Sequence, residues 1–157
     1  MKVMFVGINP SPGTYDRGVP FSNNKTFWYL LNRAGLIDEK ISDLRDDVKL
    51  KQIYTTKFNL TYIFGLVNVI NRPTPNVSSL VKGEENAGRK KILGIIKKYK
   101  PRVICFIGKI AYAKFSHERK FSFGWQNDIY DSKSYVMHFP LYGKTSFRIR
   151  DLKLILK

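Results

Sequence analysis

Lys2-Val3-Met4-Phe5-Val6 runs straight into Gly7-Ile8-Asn9-Pro10-Ser11-Pro12-Gly13. Lys2 to Val6, apolar without a break from Val3, is too short for a helix and ends in turn residues, so it reads as a strand covered on both faces. The segment after it stops regular structure, since glycine, proline, asparagine and serine each favour turns for conformational reasons. A buried strand that ends in such a turn is the opening of an α/β unit, and the rest of the chain repeats the pattern.

Working outward, a helix is predicted near Lys25 to Ala34, where Phe27, Leu30, Leu31 and Ala34 share one face and Gly35 ends it. Residues 38 to 57 are polar and helical in part. The β-branched and aromatic run Ile63 to Ile70 reads as a second strand that stops at Asn71-Arg72-Pro73-Thr74-Pro75. A second helix covers Ala87 to Tyr99, with Ile92, Ile95, Ile96 and Tyr99 on one face, and Pro101 terminates it. Then come a strand Val103 to Ile107, a Gly108-Lys109 turn into a short helix near Phe115, a polar stretch rich in glycine and aromatics, a strand at Tyr135 to Met137, and a helical tail from Ser146. Short apolar strands alternating with helices predict one α/β domain over residues 1–157. Its expected form is three-layer α/β/α, with a small, mostly parallel central sheet.

Composition narrows the partner. Twenty-eight Lys and Arg against twelve Asp and Glu leave a formal charge of +16, enough to create a positive field over the surface. The basic residues run from Lys2 to Lys157 instead of gathering on one amphipathic helix, which favours nucleic acid over a membrane surface. Cys105 is the single cysteine and sits in an apolar run, so it reads as a core residue of a cytoplasmic protein. With His117 and His138 the only histidines, neither a metal centre nor another cofactor is expected. No apolar stretch is long enough to span a bilayer, and a monomer is expected.

In a parallel α/β sheet the ligand site lies at the carboxyl ends of the strands. That rule selects Asn9, Asn68, Gly108-Lys109 and the segment His138 to Thr145. The surrounding residues go further: Gly7-Ile8-Asn9-Pro10 is followed by Gly18-Val19-Pro20-Phe21 and then by Phe27-Trp28 at the start of a helix. After these come Gly65-Leu66-Val67-Asn68-Val69-Ile70-Asn71-Arg72-Pro73-Thr74, Ala87-Gly88-Arg89-Lys90, Tyr99-Lys100-Pro101 and Ile107-Gly108-Lys109 with Ala111-Tyr112. In this order the set resembles the mismatch-specific uracil/thymine-DNA glycosylase family of the uracil-DNA glycosylase superfamily. Each motif alone is weak; the ordered series spans nearly the whole chain.

The resemblance implies a DNA-repair enzyme that extrudes a damaged base from double-stranded DNA and hydrolyses its N-glycosidic bond, leaving an abasic site. Uracil, above all in G·U pairs, is the expected substrate, and thymine in G·T pairs, hypoxanthine and alkylated cytosines are further candidates. Asn9 matches the residue that holds the attacking water. Phe21 matches the ring that stacks on the base, Ile8 lies in the base-binding segment, and Asn68 matches an asparagine that reads the base edge. An amide can donate to O4 of uracil and accept from N3–H, a pattern that cytosine inverts. Asn9, being neutral, cannot act as a strong base, so slower turnover is expected than in relatives with aspartate there; Asp16 is a rival carboxylate.

The loop after the last strand should wedge into the duplex, through Leu141 or Tyr142, with Gly143 giving the turn and Lys144 and Arg148 meeting phosphates. Here the chain departs from the family, whose loop is built of proline, serine and small residues. His138 begins that loop, where sister families place a catalytic histidine. Gly143-Lys144-Thr145 imitates the end of a nucleotide-binding loop, but His138 stands where the first glycine would fall and Pro140 stiffens the chain. The alternative to an enzyme is a non-catalytic nucleic-acid-binding domain on the same fold.

Overall fold

Successive side chains of β1 (Val3–Gly7) point to opposite sides, and all five residues are buried. Val3 and Phe5 enter one apolar cluster, Met4 and Val6 another. A strand covered on both faces belongs at the centre of a layered fold. The computed structural model, which describes residues 1–141 and 143–157, places it there. β1 lies between β2 (Phe64–Asn68) and β3 (Val103–Ile107), while β4 (Gly124–Ile129) and β5 (Ser132–Met137) extend the sheet on the β3 side. The order is β2-β1-β3-β5-β4, with every pairing parallel except β4 against β5.

The helices are α1 (Pro12–Arg17), α2 (Thr26–Arg33), α3 (Ile41–Arg45), α4 (Asp47–Gln52), α5 (Glu85–Tyr99), α6 (Lys109–Ser116) and α7 (Thr145–Leu156). A π-helical turn at Ile53–Phe58 follows α4. Phe27, Trp28, Leu30 and Leu31 of α2, Leu44, Leu50, Phe58 and Leu152 of α7 cover the Phe5 side. Ile92 and Ile96 of α5 with Tyr112 and Phe115 of α6 cover the Met4 side. This is the expected three-layer α/β/α arrangement. Among the described residues, no helix is long and apolar enough to cross a membrane.

Three elements depart from the sequence reading. Ser11-Pro12 starts α1: the Ser11 hydroxyl accepts the Thr14 N–H and Pro12 occupies the first turn, where its missing N–H costs nothing. The same residues also favour turns, so the short helix was hidden. β4 lies in the polar stretch because it is an edge strand with one side in solvent, and so carries no continuous apolar run. β5 likewise begins earlier than expected, at Ser132, since the hydroxyls of Ser132 and Ser134 are buried against the carbonyls of Pro101 and Asn127.

The fold brings backbone unusually close at one place that matters for the site. A Cβ at Gly88 would stand 1.6 Å from the Val69 carbonyl oxygen, so only glycine lets α5 lie on the exit of β2. That contact seats the residue next to Asn68.

Candidate active site

Parallel pairing does not stop at the strand ends. Beyond the Gly7–Asn68 pair, Val69 N–H donates to Gly7 O at 2.9 Å, Ile70 N–H to Ile8 O at 2.8 Å, and Thr74 N–H to Pro10 O at 3.1 Å. The two loops leaving β1 and β2 therefore run side by side, which carries Asn9 to Arg72 and Thr74.

Asn9 Nδ2 donates to the Arg72 carbonyl at 3.0 Å and to Thr74 Oγ1 at 2.8 Å. A carbonyl can only accept, and Thr74 spends its own proton on Asn76 O at 2.7 Å, so the orientation of the amide is set by its partners. Oδ1 receives no hydrogen bond among the described residues and is the polar atom Asn9 offers to the cavity it lines. Arg72 is itself held: its guanidinium pairs with both oxygens of Glu84 and donates to Ser79 O. That pairing, with the Val81 N–H, holds the Glu84 carboxyl down at about 2.

The cavity has a volume of about 240 Å³ and is lined by Asn9, Pro10, Phe21, Asn68, Phe139 and Leu141, among others. It is smaller than the ~300–1,000 Å³ typical of drug-sized ligands, a size suited to a single aromatic ring. Among the described residues no carboxylate lines it. A larger groove, about 660 Å³, lies at the amino ends of β1, β3 and β5 between Lys2, Arg102, Trp125 and Lys133. It holds no comparable convergence of amides, and chemistry outweighs size here.

Asn68 ends β2, and its carboxamide has no hydrogen-bond partner among the described residues, so its donor and acceptor are both available. It lies over Gly7, where a Cβ would come within 2.6 Å of Asn68 Oδ1. Phe21 is held in the left-handed region, φ +55°, a conformation that costs a bulky residue on the order of 1–3 kcal/mol. The neighbours enforce it. Trp28 Nε1–H donates to Pro20 O at 2.8 Å, the Ser22 hydroxyl to Val19 O at 2.8 Å, and Arg17 Nε–H to Ser22 Oγ at 2.9 Å. The Phe21 ring packs on Phe27 with centroids 4.7 Å apart, so it is a braced wall. Asn9, Phe21 and Asn68 thus face one cavity.

Other expected residues lie elsewhere. Ile8 lines a separate apolar recess with Ile107, Ala111 and Phe139; alternation at the end of β1 turns it away from Asn9. Asp16 is exposed and borders a separate recess with Asp47 and Lys51. Leu141 sits on the cavity wall, 41% exposed. Gly143 takes φ +81°, and Lys144 is exposed just before α7. Tyr142 lies outside the described residues.

Arg148 needs correcting. Expected at phosphates, it is buried at 3% exposure, with Nε–H on Phe139 O at 2.7 Å and Nη1–H on Gly143 O at 2.9 Å. It holds the loop from beneath. His138 is not among the cavity's lining residues; its backbone N–H and Nδ1 both meet Asp151 Oδ2 at 2.8 Å. Asp151, 1% exposed, also receives the Tyr135 hydroxyl at 2.6 Å, and burial with that carboxylate pushes the phenol pKa up. Burial pushes the Cys105 thiol well up too, which removes it as a nucleophile.

Sequence reasoning quoted Arg72 and Thr74 as a strand stop and missed their grip on Asn9. It also missed Asn23, whose amide donates to the Ser11 hydroxyl at 2.6 Å on the cavity rim. The Asn23-Asn24 pair before α2 was the available signal. The family model described as the uracil DNA glycosylase superfamily matches residues 1–151 of the chain.

Proposed function

The chain belongs to the uracil DNA glycosylase superfamily, and from that premise we propose that it removes uracil from double-stranded DNA, G·U pairs above all, leaving an abasic site. The observation that carries this reading is the meeting of Asn9, Phe21 and Asn68 in a cavity of about 240 Å³ that no carboxylate lines among the described residues. A base cannot react inside the duplex, so it must swing out into such a cavity. There Phe21 offers its ring as a stacking wall. Asn68 donates Nδ2–H to O4 and accepts N3–H at Oδ1, a pairing that cytosine cannot make.

Asn9 Oδ1 accepts a hydrogen bond from a water and turns the water's lone pair toward C1′. The water oxygen bonds to C1′ as the C1′–N1 bond breaks and its electron pair leaves with the pyrimidine. The spare proton passes to solvent or to the departing base. A neutral amide contributes orientation and not basicity, so the rate rests on holding charge and water in place. Leu141, on the cavity wall, is the wedge that this arrangement supports, with Lys144 on the phosphates. Thymine opposite guanine is a second substrate if the wall at Ser11 and Thr14 admits its methyl group.

The test is release of the free base from duplexes carrying uracil, thymine, hypoxanthine or an alkylated cytosine opposite guanine. Wild-type protein should release uracil, and Asn9→Ala should lose about 100-fold or more of that rate. Equal rates for both proteins sink the role of Asn9. A wild type that binds every duplex and cleaves none supports a non-catalytic DNA-binding domain instead.

A further inference from the structure

Beside the cavity, three rings from separate parts of the chain form a ladder. Phe123, just before β4, lies 3.7 Å from the His138 ring at 21° between planes. His138, just after β5, lies 5.6 Å from Phe147 of α7 at 23°. Each outer ring carries a cation: Lys109 Nζ stands 4.6 Å from the Phe123 centroid and Arg150 Cζ 5.2 Å from that of Phe147. Phe123 and Phe147 remain about 40% exposed.

Packing alone does not account for this surface. Phenylalanines placed only for stability are usually buried, whereas these two stay in contact with water beneath two cations. The middle ring is fixed by the buried carboxylate of Asp151, which takes both the backbone N–H and Nδ1 of His138. That leaves Nε2 without a partner among the described residues. The rungs are ordered before any ligand arrives, which lowers the cost of binding. Lys109 follows β3 and His138 follows β5, so the ladder stands at the same end of the sheet as the cavity, and His138 adjoins Phe139 of the cavity wall.

We infer that this ladder is a second nucleic-acid contact, which takes unpaired deoxynucleotides of a single strand running past the cavity. Cations without rings would suit any phosphate backbone, duplex included. Exposed ring edges add something a duplex cannot use: His138 and the two cations already cover the ring faces, and an unpaired base can lay its own face against an edge while a base stacked inside a duplex cannot. The chain's +16 charge and the cations on the two outer rings set the sign of the partner, since the Asp151 carboxylate behind His138 is buried. The inference rests on DNA being the substrate and not on which base is removed.

The experiment is a fluorescence-anisotropy titration of the full chain with a labelled, undamaged oligothymidine and, separately, with an undamaged duplex of equal length. Phe123→Leu and Phe147→Leu keep apolar volume and lose the aromatic edge. Each should weaken single-strand binding on the order of ten-fold and change duplex binding much less. Lys109→Gln and Arg150→Gln alter only exposed cations, so folding is not at stake. Each should lower the slope of log affinity against log salt for the single strand by roughly 0.7. Tyr130→Leu removes another exposed ring under a lysine, Lys97 at 5.0 Å, at the opposite end of the sheet, and should change nothing.

The inference is overturned if the ladder variants bind the single strand like wild type, or lose single-strand and duplex affinity equally. It is also overturned if Tyr130→Leu weakens binding as much as they do, or if poly-glutamate of equal charge displaces the strand as well as unlabelled oligothymidine does. Because no uracil is present, failure here leaves the glycosylase reading standing, and absence of uracil release leaves the ladder standing.

Discussion

Asn9 and Thr74, 65 residues apart in the chain, are joined by a 2.8 Å hydrogen bond in which the amide donates and the hydroxyl accepts. Thr74 is buried, 4% exposed, and relays the bond to Asn76 O. Its role toward Asn9 is to hold the amide so that Oδ1 faces the cavity.

Thr74→Val keeps the shape of the side chain and removes the hydroxyl. Asn9 then retains only the Arg72 carbonyl and can rotate. A small misplacement of a positioning group costs up to about 100-fold in rate, so kcat for uracil release should fall roughly 10- to 100-fold with KM nearly unchanged. Thr74→Ser, which restores the hydroxyl, should recover most of the loss. A Val variant with wild-type kcat would show that Asn9 needs no brace.

Gly7→Ala puts a methyl group where the Asn68 carboxamide lies, 2.6 Å from Oδ1. The strand accepts alanine, so the amide must swing aside. Recognition of the base edge should weaken on the order of ten-fold in kcat/KM, while affinity for undamaged duplex stays the same. Unchanged kcat/KM would mean that Asn68 does not read the base.

These two residues show what was legible and what was not. Val103–Ile107 is predicted with the bounds it has, and the α2 face Phe27, Leu30, Leu31 packs as its spacing requires, because apolar periodicity is a local record of burial. Asn9, Phe21 and Asn68 could be picked out by their place after strands and by motif resemblance, and they do line one cavity. Thr74 could not, since its partner is fixed only when the loops after β1 and β2 run together. Arg148 was misread for the complementary reason. An arginine near a basic loop looks like a phosphate contact, and only tertiary structure shows two carbonyls already holding it.

The Arg72–Glu84 pair gives a pH signature. The Glu84 carboxyl, ordinarily near 4.5, is held at about 2, chiefly by its hydrogen bond from Arg72. A folded pKa below the unfolded one means the contribution is complete above pH 4.5 and is lost as pH falls toward 2. Glu84→Gln should therefore melt below wild type at pH 7, and the two melting curves should converge between pH 4.5 and 2. Between pH 5 and 8 the difference should be flat. A gap that widens in acid would contradict the assignment.

Arg148 and Asp151 stand one turn apart on α7 and hold the loop between β5 and α7 from below, Arg148 through Phe139 O and Gly143 O, Asp151 through His138. Burial pulls the Arg148 pKa below its usual value, with the Asp151 charge opposing. Arg148→Met keeps the apolar stem and removes the hydrogen bonds the guanidinium gives to Phe139 O and Gly143 O, at a cost of about 1–3 kcal/mol. Denaturant unfolding should register that loss. DNA affinity should fall because Leu141 is no longer held at the cavity, yet the salt slope for duplex binding should not change. Lys144→Gln, at an exposed position on the same loop, should do the reverse: stability intact, and a slope smaller by about 0.9. The two readings of Arg148 separate on that slope. A phosphate ligand removes counterions when it binds and a loop brace does not, so a shallower slope for Arg148→Met would restore the arginine to the DNA interface and remove it from beneath the loop.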